Sequence, residues 1–74
     1  MVYPNPVKAN GSLQVKGLTG NFTYTVYTIS GIALQRGSIT NGSIRMDYRV
    51  KAGTYILELK STKQAIRTTI LVTE

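Results

Sequence analysis

The chain is predicted to be all-β, a sandwich or small barrel of about six or seven short strands. Three observations carry that prediction. Apolar residues recur at i and i+2 along the whole chain, and no helical period competes with them. Glycine or asparagine interrupts the apolar runs every roughly 8–12 residues, the spacing of short strands joined by turns. The last third, Gly53 to Thr73, divides into two runs of apolar, β-branched and aromatic residues around the polar Ser61-Thr62-Lys63-Gln64, which is the pattern of a β-hairpin.

From the start, Tyr3-Pro4-Asn5-Pro6 reads as a stiff lead-in or an edge strand over residues 1–6. Each proline fixes its own φ and biases its predecessor towards an extended backbone. Asn10-Gly11 marks a turn, Ser12 to Lys16 alternates as a short strand, and Gly17 to Asn21 is a loop. Phe22 to Ile29 is the strongest strand of the first half, every residue being aromatic or β-branched. Ser30-Gly31 ends it, and Ile32 to Arg36 returns. A three-residue loop at Ile29-Ser30-Gly31 with Gly31 left-handed sets Val26 opposite Leu34 and Tyr27 opposite Ala33. A two-residue turn at Ser30-Gly31 sets Tyr27 opposite Leu34 instead, and the residues alone leave both open. Asn41-Gly42 predicts a second hairpin with Ile39 facing Ile44, Ser43 to Asp47 a short strand, and Arg49 to Ala52 a connection.

The closing hairpin can be counted out. Joining Lys60 to Ala65 across the polar tetrapeptide pairs Leu59 with Ile66, Leu57 with Thr68, Tyr55 with Ile70 and Gly53 with Val72 on one face. The other face pairs Glu58 with Arg67, Ile56 with Thr69 and Thr54 with Leu71. A tighter turn at Thr62-Lys63 gives the same register. A one-residue slip would put Tyr55, Leu57 and Leu59 in water and Glu58 against the core. The Glu58–Arg67 pair, read as exposed, contributes roughly 0.2–1 kcal/mol and selects register more than it stabilises.

At 74 residues the chain is one small domain. It has no cysteine to staple a small core, but 42% hydrophobic residues suffice for two layers, and 16% charged residues argue against disorder. A lack of cysteine fits an extracytoplasmic Gram-negative protein or a cytosolic one. No apolar run approaches the ~20 residues of a spanning helix. Met1 runs into Val2-Tyr3-Pro4 without a basic start or apolar stretch, so the chain reads as a domain excised from a longer protein. The net charge is +6, spread over the chain. A solvated, aggregation-resistant surface explains it better than nucleic acid, because no RNA-binding aromatic signature or helix-turn-helix accompanies it.

The residues of catalysis are sparse. Histidine and cysteine are absent, and the acids are Asp47, Glu58 and Glu74. Glu58 reads as an ion-pair partner and Asp47 as a turn or strand-end residue, so no two carboxyls are placed to converge. No acid cluster fits calcium and no glycine loop fits phosphate, so neither metal nor cofactor is expected. Of the five tyrosines, Tyr24 and Tyr55 are in phase with the core, while Tyr27 and Tyr48 fit either a core or a surface position. The chain is not expected to be an enzyme.

Four stretches in order carry a resemblance: Val2 to Pro6, Tyr24 to Gly31, Lys51 to Leu57, and the strand ending Ile70-Leu71-Val72. Together they resemble the type A C-terminal sorting domain of proteins exported by the type IX secretion system. In that family a Tyr-Pro-Asn-Pro entry is followed by a strand ending in a Ser-Gly turn, a Gly-x-Tyr strand and a closing basic hairpin. The likeness covers essentially the whole chain, and its order, spacing and length are specific where no single piece is. The family pattern has a basic residue just before the final apolar run. Here Thr68 and Thr69 stand there, and Arg67 is the nearest cation. The family also places its apolar residue at the position of Leu34, which favours the three-residue loop with Leu34 facing Val26.

The resemblance implies an immunoglobulin-like antiparallel sandwich. It also implies a secretion address that engages the outer-membrane translocon and its shuttle after crossing the periplasm. A surface sortase then removes the domain, leaving the cargo at the cell surface or released. Recognition is expected at the entry residues Tyr3, Pro4, Asn5 and Pro6, and at Gly53, Tyr55, Ile56, Lys60, Lys63, Arg67 and Leu71 of the hairpin. There Ile56 and Leu71 face outward, diagonal to each other, with Lys60 and Lys63 at the turn end. That patch is otherwise an ordinary scatter of surface apolars, or is covered by the second sheet or by a weak homodimer partner. No nucleic acid and no membrane insertion are expected. The alternative is an immunoglobulin-like accessory module binding carbohydrate or protein; the end of the chain two residues after Val72 favours the sorting reading.

Overall fold

A computed structural model describes residues 2–3, 6–17, 21–39, 42–47 and 49–74. It is all-β among those residues, with eight strand segments in two sheets. The segments are β1 (Val2–Tyr3), β2 (Val7–Lys8), β3 (Ser12–Val15), β4 (Thr23–Thr28), β5 (Ala33–Ser38), β6 (Ser43–Arg45), β7 (Gly53–Lys60) and β8 (Ala65–Thr73). One sheet has the order β1-β3-β6 and the other β2-β8-β7-β4-β5. The architecture is consistent with the immunoglobulin-like sandwich that the resemblance implied.

The core lies between the sheets, where period-two alternation turns one face of each strand inward. Leu13, Val15 and Ile44 come from the smaller sheet; Val26, Tyr55, Leu57, Leu59, Ile70 and Val72 come from the larger. Val7 of β2 adds to the larger sheet's share, and Phe22, Met46 and Val50 come from the segments between strands. Every buried residue described is apolar or aromatic. The β7–β8 hairpin has the register counted from the sequence, pair for pair from Gly53↔Val72 to Lys60↔Ala65. Its turn is tied by the Ser61 N–H to the Gln64 carbonyl at 2.8 Å, and Ser61 Oγ accepts the N–H groups of Lys63 and Gln64.

The Gly-x-Tyr motif acquires a physical reason here. Gly53 begins β7 at φ +154°, a conformation that side-chain-bearing residues rarely adopt. Tyr55 buries its ring in the core and donates its hydroxyl back to the Lys51 carbonyl at 2.8 Å. That backward bond has the form of the tyrosine corner of immunoglobulin-like sandwiches.

Two expectations are corrected. The β4–β5 loop is the three-residue one, with Gly31 at φ +94° and Tyr27 opposite Ala33, but Val26 faces Gln35 and not Leu34. A bulge makes Leu34 the extra residue. Leu34 still packs on the core while Gln35 also turns inward. Second, Ile39 and Ile44 do not face each other. The Ile39 N–H bonds the Phe22 carbonyl in the larger sheet, whereas Ile44 pairs with Leu13 in the smaller. The two therefore belong to different sheets, with Ile44 buried in the core and Ile39 partly buried against it. The entry is shared between the sheets: β1 pairs with β3 at the edge of the smaller one, and β2 pairs in parallel with β8 in the larger. Pro4 and Asn5 lie outside the described residues, as do Tyr48 and the Asn41 half of the Asn41-Gly42 turn.

Candidate recognition surface

Strand pairing determines what the larger sheet presents on the side away from the core. Directly opposed residues share a face, so three rows cross it. The first is Ser38, Thr23, Lys60 and Ala65; the second is Arg36, Thr25, Glu58 and Arg67; the third is Ala33, Tyr27, Ile56 and Thr69. Beyond the third row lie Thr54 and Leu71. The smaller sheet covers the other side of the core and leaves this face uncovered within the described chain.

Glu58 is the acid of this face, and its carboxylate is already committed. Oε2 accepts the Arg67 Nε–H at 3.0 Å, and Oε1 accepts the Tyr27 hydroxyl at 3.4 Å. The pair is not the exposed one expected. Glu58 is sunk to 15% exposure while Arg67 stays at 70%. Arg67 spends Nε on this contact, and its terminal nitrogens have no partner among the described residues. The same contact settles the open question about Tyr27, which lies half-buried on the outward face.

Of the residues expected to be recognised, the structure gathers Ile56, Lys60, Arg67 and Leu71 on this face, with Lys63 exposed in the adjoining turn. Ile56 is half-buried and Leu71 is 43% exposed. Gly53 and Tyr55 belong to the fold: one starts β7 and the other is core. Tyr3 pairs with Gln14 in the smaller sheet, and Pro6 is exposed just ahead of β2. Val7 and Lys8 pair with Val72 and Thr73, and the Ala9 N–H bonds the Thr73 carbonyl at 2.6 Å. Val7 and Lys8, which follow the entry motif, are therefore neighbours of the final apolar run in space.

One feature was missed in the sequence. A shallow groove of about 340 Å³ lies between the β4–β5 turn and the β7–β8 hairpin, lined by Tyr27 to Gly31, Ile56 and Arg67. Ile29 and Ile32 on that turn are 72% and 61% exposed. A pair of isoleucines flanking Ser30-Gly31 was the available signal, since a tight turn leaves little room to bury both. Charged residues of the other sheet stand apart from this surface. Asp47 follows β6 and pairs with Arg49 at 2.9 Å, accepting the Arg49 N–H as well, in the strand-end role expected of it.

A family model described as the secretion system C-terminal sorting domain matches residues 1–73. The chain belongs to this family. It is a type IX secretion sorting domain, a class that acts in general as a signal and not as a catalyst, and its cargo is exported to the cell surface or secreted. The sorting domain implies interaction with the secretion machinery. No curated protein matches the chain.

Proposed function

We propose that this sorting domain is a non-catalytic address whose outward sheet face, with the adjoining hairpin turn, is read by the outer-membrane translocon or its shuttle. Cargo carrying it passes through the periplasm, and a surface sortase then cleaves ahead of the domain. The observation that carries the proposal is the company of Ile56 and Leu71. Two apolar side chains sit on an uncovered face beside Arg67, with Lys60 and Lys63 at the turn end, while the inward face is fully used by the core. Tyr3, Pro4, Asn5 and Pro6 are the second element of the proposed address; β2, which follows them in the chain, pairs with the last strand.

The test is export of a periplasmic reporter fused ahead of this domain in a type IX-competent host. The wild-type fusion is expected at the surface or in the medium. The Ile56→Ser, Leu71→Ser double variant, once shown to melt with the wild type, is expected to remain in the periplasm. Wild-type secretion by that folded variant would mean that the face is not read.

A further inference from the structure

The groove beside Arg67 has a chemistry of its own, and it narrows what the outward face can recognise. One wall is apolar: Ile29, the Tyr27 ring and Ile56. Arg67 also lines the groove; its side chain is 70% exposed and its terminal nitrogens have no partner among the described residues. In the turn, Thr28 and Ser30 share one hydrogen bond at 2.9 Å and Thr28 Oγ1 accepts the Ile32 N–H, which leaves one hydroxyl hydrogen of the pair as a further donor at this end of the groove. Lys60 lies four residues along β7 from Ile56, about 13 Å in an extended strand, and Lys63 follows in the turn. Glu58 offsets one of these charges, so the face stays cationic along that line.

We propose that the groove takes a short extended peptide, with an aliphatic or aromatic residue seated on Ile29, Tyr27 and Ile56 and a carboxylate on Arg67. Further acidic residues run towards Lys60 and Lys63. The inference rests on the reading that the outward face is the recognised one, and it names the partner as an acidic peptide segment. Charge complementarity selects the occupant. The chain carries nine cations against three acids, and an apolar anchor with acids a few residues away matches the spacing from Ile56 to Lys60. A membrane surface fits less well, because the exposed Ile29 and Ile32 lie at the opposite end of the sheet from Lys60 and Lys63. An apolar tip inserting into anionic lipid would want those cations beside it.

The experiment uses the purified domain and a dye-labelled octapeptide with one leucine followed by alternating glutamate and threonine. Its comparators are the same peptide with lysine for glutamate, the same peptide with serine for leucine, and anionic phosphatidylglycerol vesicles. The acidic peptide is expected to bind roughly tenfold or more tightly than either altered peptide. Amide shifts should be confined to residues 27–31 and 54–69. Arg67→Gln should weaken binding roughly tenfold while Arg45→Gln, on the other sheet, leaves it unchanged. Added salt should weaken it too, since the contacts are exposed. Equal binding of the lysine peptide, shifts elsewhere on the domain, or binding to vesicles without binding to the peptide would each overturn the proposal. The export assay separates the two ideas. If the Ile56→Ser, Leu71→Ser variant fails in export while wild type ignores the acidic peptide, the face is read by other chemistry. If that variant is exported normally while wild type binds the peptide as described, the groove binds acidic peptides but export does not use it.

Discussion

Replacing Gln35 by leucine tests how the two sheets are held together. The bulge opposite Val26 turns Gln35 inward, where it reaches the end of β6. Its Nε2 donates to the Tyr24 hydroxyl at 2.9 Å and the Arg45 carbonyl at 2.7 Å, and its Oε1 accepts the Asp47 N–H at 2.7 Å. Gly37, directly across from Tyr24, leaves room for that ring; a Cβ there would meet it at 3.1 Å. Leucine keeps most of the volume and removes all three bonds. At about 1 kcal/mol net each, less what water returns to the exposed Arg45 carbonyl, the loss is about 2–3 kcal/mol. A domain of this size has about 4–11 kcal/mol in total, so the melting temperature should fall by about 10–20 °C. Thermal unfolding followed by circular dichroism measures it. A double-mutant cycle with Tyr24→Phe should show coupling of about 0.5–1.5 kcal/mol. A Gln35→Leu variant melting within about 2 °C of wild type, with an additive cycle, would refute the inter-sheet clamp.

Two further changes probe the closing hairpin. Leu57→Asp places an unpaired carboxylate at a site with no solvent exposure and should leave the domain unfolded. Glu58→Lys, which breaks the Arg67 pair and sets two cations across the strands, should cost about 1–2 kcal/mol. Melts showing Glu58→Lys as the worse of the two would contradict the register. Tyr55→Phe removes the bond to the Lys51 carbonyl and should cost about 1–2 kcal/mol in chemical denaturation with no change in slope. An unaltered midpoint would mean that the corner adds nothing to stability.

How far the sequence could be read depended on whether a choice was local. The β7–β8 register was legible because one face of each strand is apolar, and a slip would expose Leu57 and Leu59 together. The β4–β5 turn was legible as far as Gly31 and the Tyr27–Ala33 pair. The bulge was not, because Leu34 and Gln35 both turn inward and alternation has no rule for two successive inward residues. The Asn41-Gly42 signal was local too: it marks a change of direction without saying which sheet receives the chain. The parallel pairing of Val7 with Val72 joins the two ends of the sequence, and nothing near either residue announces it. On the surface, Ile56, Arg67 and Leu71 followed from the register, whereas the groove needed the β4–β5 turn placed beside them.

That last pairing bears on what kind of signal the domain is. Tyr3-Pro4-Asn5-Pro6 and Ile70-Leu71-Val72 stand at opposite ends of the sequence, so an unfolded tag would present them separately. In the folded domain β2 lies against β8, and the entry leads directly into the strand beside the final run. Leu71 then belongs to the outward face while its neighbours Ile70 and Val72 are core. The same strand serves stability and display on alternate residues. Inward positions are constrained by packing, since the removal of even one methylene is felt there. The outward face is free of that constraint and can carry recognition. On the proposed reading, a folded surface is the form in which the entry and the final run would act as one address. On that account Leu57→Asp should abolish export by dissolving the surface, although Leu57 itself never reaches it.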